Sequence, residues 1–139
     1  MNNLILKDDE RLDDLQLDDL KIIQRASGYK FSTDSVLLAN FGKAKQNDLY
    51  VDLCSGSGVV AILISWKNKL KKSFAVEIQP QLADMAKRSI EYNGLDGKIE
   101  VLNQDLHSAH QTLGYESVDV ITVNPPYNPV GETDNKPKK

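Results

Sequence analysis

Leu49-Tyr50-Val51-Asp52-Leu53-Cys54-Ser55-Gly56-Ser57-Gly58-Val59-Val60-Ala61 is the stretch that decides the fold. Leu49 to Leu53 is a short, largely apolar run and reads as a buried strand. Cys54 to Gly58 holds four small residues in five, which lets the backbone reach positive φ and approach a ligand closely. Gly58 to Trp66 then reads as a helix, apolar on most sides and therefore buried. Strand, glycine-rich turn and helix in that order make the opening unit of a parallel α/β sheet. The turn also delivers a helix N-terminus, whose free N–H groups attract a carboxylate or phosphate. A tight strand-to-helix turn without a ligand is the plainer alternative, and so many small residues weigh against it.

Downstream the alternation continues. Ser73 to Glu77 reads as a strand, and Gln79 to Tyr92 as a helix with Leu82, Met85, Ala86, Ser89 and Ile90 on one face. Asn93-Gly94 closes that helix. Ile99 to Leu102 is a third strand, Ser108 to Leu113 a short helix, and Val118 to Val123 a fourth strand. Such alternation implies parallel strands with helices on both faces and right-handed crossovers. Upstream, Leu20 to Gln24 and Tyr29 to Phe31 flank a turn at Ser27-Gly28 and predict a hairpin. Thr33 is placed to cap a helix running from Val36 to Phe41, with Asp34 in its dipole-positive first turn and Gly42 at its end.

The 139 residues fit one domain, and a hydrophobic fraction of 40% is adequate for a core. Residues 1–20 carry seven acids against Lys7 and Arg11, a balance of −5; with −3 overall, the remainder stands at +2. The first 19 residues therefore read as an acidic surface segment, residues 20–128 as the domain, and 129–139 as a mobile polar tail. A weakly basic domain does not by itself indicate nucleic-acid binding. Cys54 is the only cysteine, so no internal disulfide can form and a reducing cytoplasm is the simplest setting. The N-terminus has no signal-peptide pattern, and no apolar stretch approaches the ~20 residues that span a bilayer.

The chemistry sits at the strand ends. Glu77 closes the second α/β strand, where its carboxylate can accept from two ribose hydroxyls. Gly56-x-Gly58-x-x-Ala61 followed by Glu77 also satisfies the dinucleotide fingerprint. Loop plus acid therefore says adenosine-containing ligand, either a nicotinamide dinucleotide or S-adenosylmethionine. Asp105-Leu106 after the third strand offers a carboxylate and an N–H for an adenine edge. Asn124-Pro125-Pro126-Tyr127 ends the fourth strand. Two prolines cannot continue a ladder, so an amide and a ring are held at the carboxyl edge of the sheet, where ligands bind in open α/β folds. They suit a planar group bearing an exocyclic amine, and a dinucleotide dehydrogenase has no need of them. His107 and His110 lack further ligands at metal spacing. Lys67, Lys69, Lys71 and Lys72 form a basic run that is either a solvated connection or an RNA contact.

These residues resemble the class I S-adenosylmethionine-dependent methyltransferases, in the branch that methylates amino nitrogens through an N-P-P-Y motif. Tyr29-x-Phe31-Ser32-Thr33-Asp34-Ser35-Val36-Leu37-Leu38-Ala39 further resembles bacterial enzymes that methylate adenine N6 beside the anticodon of a valine tRNA. The resemblance runs from about Glu10 to Tyr127. It implies a Rossmann-like sheet preceded by the N-terminal hairpin and helix. It implies S-adenosylmethionine as cofactor, with Cys54, Ser55, Gly56 and Gly58 holding the methionine end and Asp52 near its amino group. Glu77 and Ile78 would bind the ribose side and Asp105 and Leu106 the adenine, while Phe31 and Thr33 close over them. Asn124 and the Pro125 carbonyl would accept from the substrate amine, with Pro126 stiffening the turn and Tyr127 stacking on the base.

The family's sheet is larger than the four parallel strands counted here, and the chain ends 12 residues after Tyr127. The expectation is a chain lacking the C-terminal strands, with an open apolar edge prone to self-association and with cofactor binding more robust than catalysis. The leading function is transfer of a methyl group to adenine N6 in tRNA. The alternatives are another amino or amide nitrogen (a DNA adenine, an rRNA guanine, a protein glutamine), a non-catalytic nucleotide-binding domain, and, more distantly, a dinucleotide dehydrogenase.

Overall fold

The computed structural model describes residues 4–27, 33–114 and 118–124, with the side chains of residues 33, 34 and 41 outside that description. It opens with β1 (Glu10–Asp14) and β2 (Lys21–Arg25), an antiparallel pair in which Glu10 faces Arg25 and Asp14 faces Lys21. β2 covers the first strand of the expected hairpin, but the partner it is seen to pair with is the upstream strand β1. The expected partner, Tyr29 to Phe31, lies outside the described residues. The acidic segment is not wholly a surface feature, since Leu15, in the connection between the two strands, is buried. Its charges are matched across space: Lys21 Nζ lies 2.9 Å from Asp14, and Arg88 reaches Glu10 at 2.6 Å.

α1 (Thr33–Phe41) begins at the residue expected to cap it and ends where Gly42 N–H returns to Leu38 O at 2.8 Å. Then come β3 (Leu49–Leu53), α2 (Val59–Lys67), β4 (Lys72–Val76), α3 (Pro80–Tyr92), β5 (Ile99–Leu102), a 3-10 turn at Leu106–Ser108, α4 (Ala109–Leu113) and β6 (Val120–Val123). The strands form one parallel sheet in the order β5-β4-β3-β6. From β3 the chain steps outward through β4 to β5, then returns to the other side of β3. That reversal opens a crevice above the carboxyl ends of β3 and β6, where doubly wound sheets bind ligands.

Both faces of the sheet are covered by helix. On one, Tyr50, Ala75 and Ile99 pack with the buried stretch Val59 to Ile64 of α2 and with Ile90 of α3. On the other, Val51, Val76 and Leu102 pack with Ala109 of α4. Each fully buried Ile or Leu contributes about 1.5–3 kcal/mol. Alternation along β3 thus sends Tyr50 and Asp52 to one face and Val51 to the other, the period-2 signature of a strand.

α3 starts with Pro80 at its first turn, where the missing N–H costs nothing. It stops with Gly94 at φ 72°, Gly94 N–H on Glu91 O at 3.0 Å and Leu95 N–H on Ile90 O at 2.9 Å, a Schellman closure. Its inner face also anchors the hairpin. Ser89 Oγ accepts from Ile23 N–H at 2.9 Å, and Asn93 both accepts from Lys21 N–H at 3.0 Å and donates to Lys21 O at 2.8 Å.

Candidate cofactor and acceptor site

Asp52, the Cys54–Gly58 turn, Glu77, Ile78, Asp105, Leu106 and Asn124 all fall at or just beyond the carboxyl ends of the four parallel strands. Phe31, Pro125, Pro126 and Tyr127 lie outside the described residues, as does the tail from residue 129. Thr33 is the first residue of α1.

The turn after β3 is left-handed at Cys54 (φ 57°), Gly56 (φ 58°) and Gly58 (φ 98°). A side chain at Gly56 would meet nothing within 4 Å, so this glycine borders open space. Gly58 is different, because a Cβ there would come 3.2 Å from Cβ of Ala86, and it lets α2 and α3 close on each other. Gly58 N–H bonds Ser55 O at 3.0 Å, and Ser55 N–H bonds Val76 O at 2.9 Å. α2 has neither a side-chain cap nor an acid in its first turn. Its first N–H groups therefore present a partial positive charge to the crevice.

Two carboxylates flank this turn. Glu77 is buried, with Oε1 accepting from Gly56 N–H at 2.7 Å and Oε2 from Gln79 N–H at 2.9 Å. Each oxygen retains a second lone pair for a hydroxyl. Asp52 is 1% exposed, and Oδ1 accepts from Thr122 Oγ1 at 2.8 Å. Burial pushes its carboxyl up to about 7, the Thr122 and Ser55 hydroxyls oppose the rise, and the nearby Glu77 charge adds to it. Cys54 is raised too, first by burial and then by the charges of Glu77 and Asp52, which disfavours its thiolate. Ser55 Oγ, turned toward Asp52, is buried yet completes no hydrogen bond. A buried hydroxyl without a partner beside an uncapped helix N-terminus fits a ligand carrying a carboxylate and an ammonium group.

The rim is formed by Ile78 and Leu106, both exposed apolar side chains. Asn103 was not anticipated. Its side-chain amide donates to Glu77 O at 2.8 Å and to Ile78 O at 3.0 Å, holding the end of β4 against the end of β5. Asp105 is exposed and its Oδ1 accepts from His107 N–H at 2.9 Å, capping the 3-10 turn. That bond, together with the His107 side chain, lowers its pKa. His107 is thus a partner of Asp105, and among the described residues no cluster of His, Cys, Asp or Glu could hold a metal.

Asn124 follows β6, and its Nδ2 donates to Ser35 Oγ at 3.1 Å. Ser35, near the start of α1, is another residue that sequence reading passed over. The basic run lies elsewhere. Lys69 and Lys71 precede β4 at the amino end of the sheet, a strand length of about 16 Å from the crevice. Lys67 Nζ bonds Asn40 at 2.9 Å, and Lys72 stands 4.0 Å from Glu100. A separate cleft of about 260 Å³ opens between Lys7–Glu10 and α3 near Asp84. It excludes the glycine turn, and its wall is tied by Lys7 on Asp84 at 3.0 Å. No helix among the described residues is long and apolar enough to cross a membrane.

Solved structures similar to this chain include an RNA methyltransferase from Salinibacter ruber in complex with S-adenosyl-L-homocysteine. It is 20% identical with a TM-score of 0.58, over 69% of this chain and 60% of that one. A methyltransferase from Thiobacillus denitrificans, also bound to S-adenosyl-L-homocysteine, matches at 21% identity and a TM-score of 0.53, over 67% and 36%. These likenesses show the class I methyltransferase fold. Among curated proteins, the tRNA1(Val) (adenine(37)-N6)-methyltransferase of Histophilus somni is 32% identical over 107 residues, 76% of this chain and 45% of the relative. The ribosomal protein uL3 glutamine methyltransferase of Bradyrhizobium diazoefficiens is 35% identical over 77 residues, 55% of this chain and 23% of the relative. The chain spans about half the length of the tRNA relatives it matches, 45% in the first two. The methyltransferase small domain profile matches residues 27–136, from just before α1 to beyond Asn124, and the chain belongs to that family.

Proposed function

We propose that the protein carrying this chain transfers a methyl group from S-adenosylmethionine to an exocyclic amino nitrogen, adenine N6 of a tRNA being the leading substrate. The observation that carries the acceptor half is the state of Asn124. Its amide nitrogen is engaged by Ser35, so what it offers the crevice is the side-chain oxygen, a hydrogen-bond acceptor. An amine whose lone pair is delocalised into a ring is a poor nucleophile. An acceptor aimed at its N–H groups orients it and stabilises the positive charge that grows as the new bond forms. Pro125, through its carbonyl, supplies a second acceptor in this reading, Pro126 stiffens the turn, and Tyr127 gives the base a face to stack on. No strong base is required, because the nitrogen becomes acidic only once alkylated.

The cofactor half rests on charge matching. S-adenosylmethionine supplies an electrophilic methyl on a sulfonium, together with an ammonium, a carboxylate and an adenosine. The N-terminus of α2 and Ser55 suit the carboxylate, and Asp52 suits the ammonium. Glu77 has lone pairs for the ribose hydroxyls, Ile78 and Leu106 make an apolar rim for the adenine, and Asp105 stands at that rim. Phe31 and Thr33 close the site from the N-terminal side.

The tRNA assignment is supported by the curated relatives at 27–32% identity and by the Tyr29-to-Ala39 stretch. The glutamine methyltransferase relative favours a second reading, in which the acceptor is a protein amide nitrogen. A cytoplasmic setting accords with a tRNA substrate and a lone reduced cysteine. Self-association through the outer edge of β6 belongs to the same reading.

The test begins with calorimetric titration by S-adenosylhomocysteine, with NAD as control. Saturable binding of the first alone is expected; tighter binding of NAD would sink the reading. Asn124→Ala should then keep that affinity while methyl transfer to transcribed tRNA falls about 10²–10³-fold. Transfer to a protein glutamine and not to tRNA would establish the second reading.

A further inference from the structure

Three polar side chains run in single file under the glycine turn. The hydroxyls of Tyr50 and Thr122 stand 2.5 Å apart, and Thr122 Oγ1 donates to Asp52 Oδ1 at 2.8 Å. An ionised carboxylate only accepts. Thr122 therefore spends its proton on Asp52 and accepts from Tyr50, whose phenol donates. All three are buried. Asp52 and Thr122 are register partners across β3 and β6. Thr122 also stands two residues before Asn124, so the file joins the cofactor turn to the strand that carries the acceptor group.

The surroundings give this file a task. Glu77, beyond β4, is an acid, and Cys54, beside Asp52, is a thiol raised by burial. Tyr50 is itself held above the usual phenol range, first by burial and then by the Asp52 charge. The buried stretch of α2, Val59 to Ser65, carries no charge, and β6 contributes only Thr122 to the group. No cation among these neighbours offsets the Asp52 charge, so hydroxyl donors are what sustain it. Hydrogen bonds in series polarise one another, so the Tyr50 donor strengthens the Thr122 donor.

We propose that Thr122 and Tyr50 are positioning residues for cofactor binding, holding the Asp52 carboxylate charged and oriented toward the amino end of the ligand. This rests on the reading of the glycine turn as the S-adenosylmethionine site. Nothing in the file touches the reacting methyl.

The side-chain carboxyl of Asp52 can be followed by 13C NMR in the chain without ligand, and S-adenosylhomocysteine binding by calorimetry from pH 6 to 8.5. Thr122→Val removes the donor at nearly constant shape. The Asp52 inflection should rise by about one pH unit, less in Tyr50→Phe, and return in Thr122→Ser. A one-unit rise from neutrality cuts the ionised fraction at pH 7 about fivefold, and affinity should fall by that factor there and recover at pH 8.5. A structural role alone would lower affinity equally at every pH and leave the inflection in place, and that result overturns the proposal. Should Thr122→Val fail to fold, an unmoved inflection in Tyr50→Phe overturns it as well. If the unaltered chain binds no S-adenosylhomocysteine while the inflection still moves, the cofactor reading is what falls, and the positioning role falls with it.

Discussion

Asp52 is a carboxyl buried where its charge is disfavoured. Its folded value of about 7 stands against an ordinary 3.8, so folding takes up a proton between those values. The resulting stability is fully present below about pH 3.8 and is lost as pH rises through about 7. Asparagine is neutral throughout and keeps an acceptor for Thr122. Asp52→Asn should therefore gain melting temperature relative to the parent as pH is raised from 5 to 8, by several degrees in a calorimetric scan. The acids that are lowered, such as Glu10 and Asp84, are common to both proteins and cancel in the difference; a difference flat with pH would remove the assignment. At this scale the position of Asp52, Glu77 and Asn124 at strand ends was legible, because each follows an apolar run. Ser35, Asn103 and Thr122 were not legible. Their partners stand 89, 26 and 70 positions away, and no local pattern encodes such a pairing.

Elements reveal the same division between local and distant causes. α2, β3 and β5 could be read from runs of apolar residues, and the end of α3 from Asn93-Gly94. β1 could not, because Glu-Arg-Leu-Asp-Asp is a poor strand former by composition. Its ladder with β2 makes it a strand, and Arg88 of α3 holds its first residue in place. Nη1 and Nη2 donate to the two Glu10 oxygens at 2.8 and 2.6 Å, while Nε donates to Asp84 at 2.9 Å. The guanidinium is the first cause that lowers Glu10, so this stabilisation is present above the ordinary carboxylate range and is lost as pH falls through the folded value. Arg88→Ala should cost roughly 1.5–3 kcal/mol at neutral pH, read from urea midpoints, and the gap to the parent should narrow in acid. A gap that widens in acid would contradict the pairing. Two residues before Arg88 on the same helix, at Ala86, α3 meets α2, and Gly58→Ala would put a Cβ at φ 98° and 3.2 Å from Ala86. The left-handed conformation alone costs about 1–2 kcal/mol, and relief of the contact would push α2 off α3. Thermal unfolding should show that loss, together with weaker S-adenosylhomocysteine binding.

At the scale of the molecule, alternation of strands and helices announced a parallel sheet, but not the order in which the strands lie. The order β5-β4-β3-β6 places β6 at one edge of the described sheet, paired on one side with β3. Its register sets Ile121 beside Val51 and Val123 beside Leu53. Yet Ile121 is 56% and Val123 46% exposed, while Val51 is buried. Among the described residues this strand is apolar and has no partner on its outer side, and such an edge offers its N–H and C=O groups to another strand. A second copy of this chain supplies an identical edge, and burial of the two side chains adds to the backbone pairing. The chain should therefore associate with increasing concentration over the micromolar to millimolar range, as followed by sedimentation velocity. Ile121→Lys sets a charge on that face without touching the buried Thr122 or the strand's bonds to β3. It should shift the population toward monomer while leaving the circular dichroism spectrum and S-adenosylhomocysteine affinity unchanged. A parent chain that stays monomeric throughout that range would show that the edge is covered, and residues beyond Asn124 would then be the first place to look for the cover.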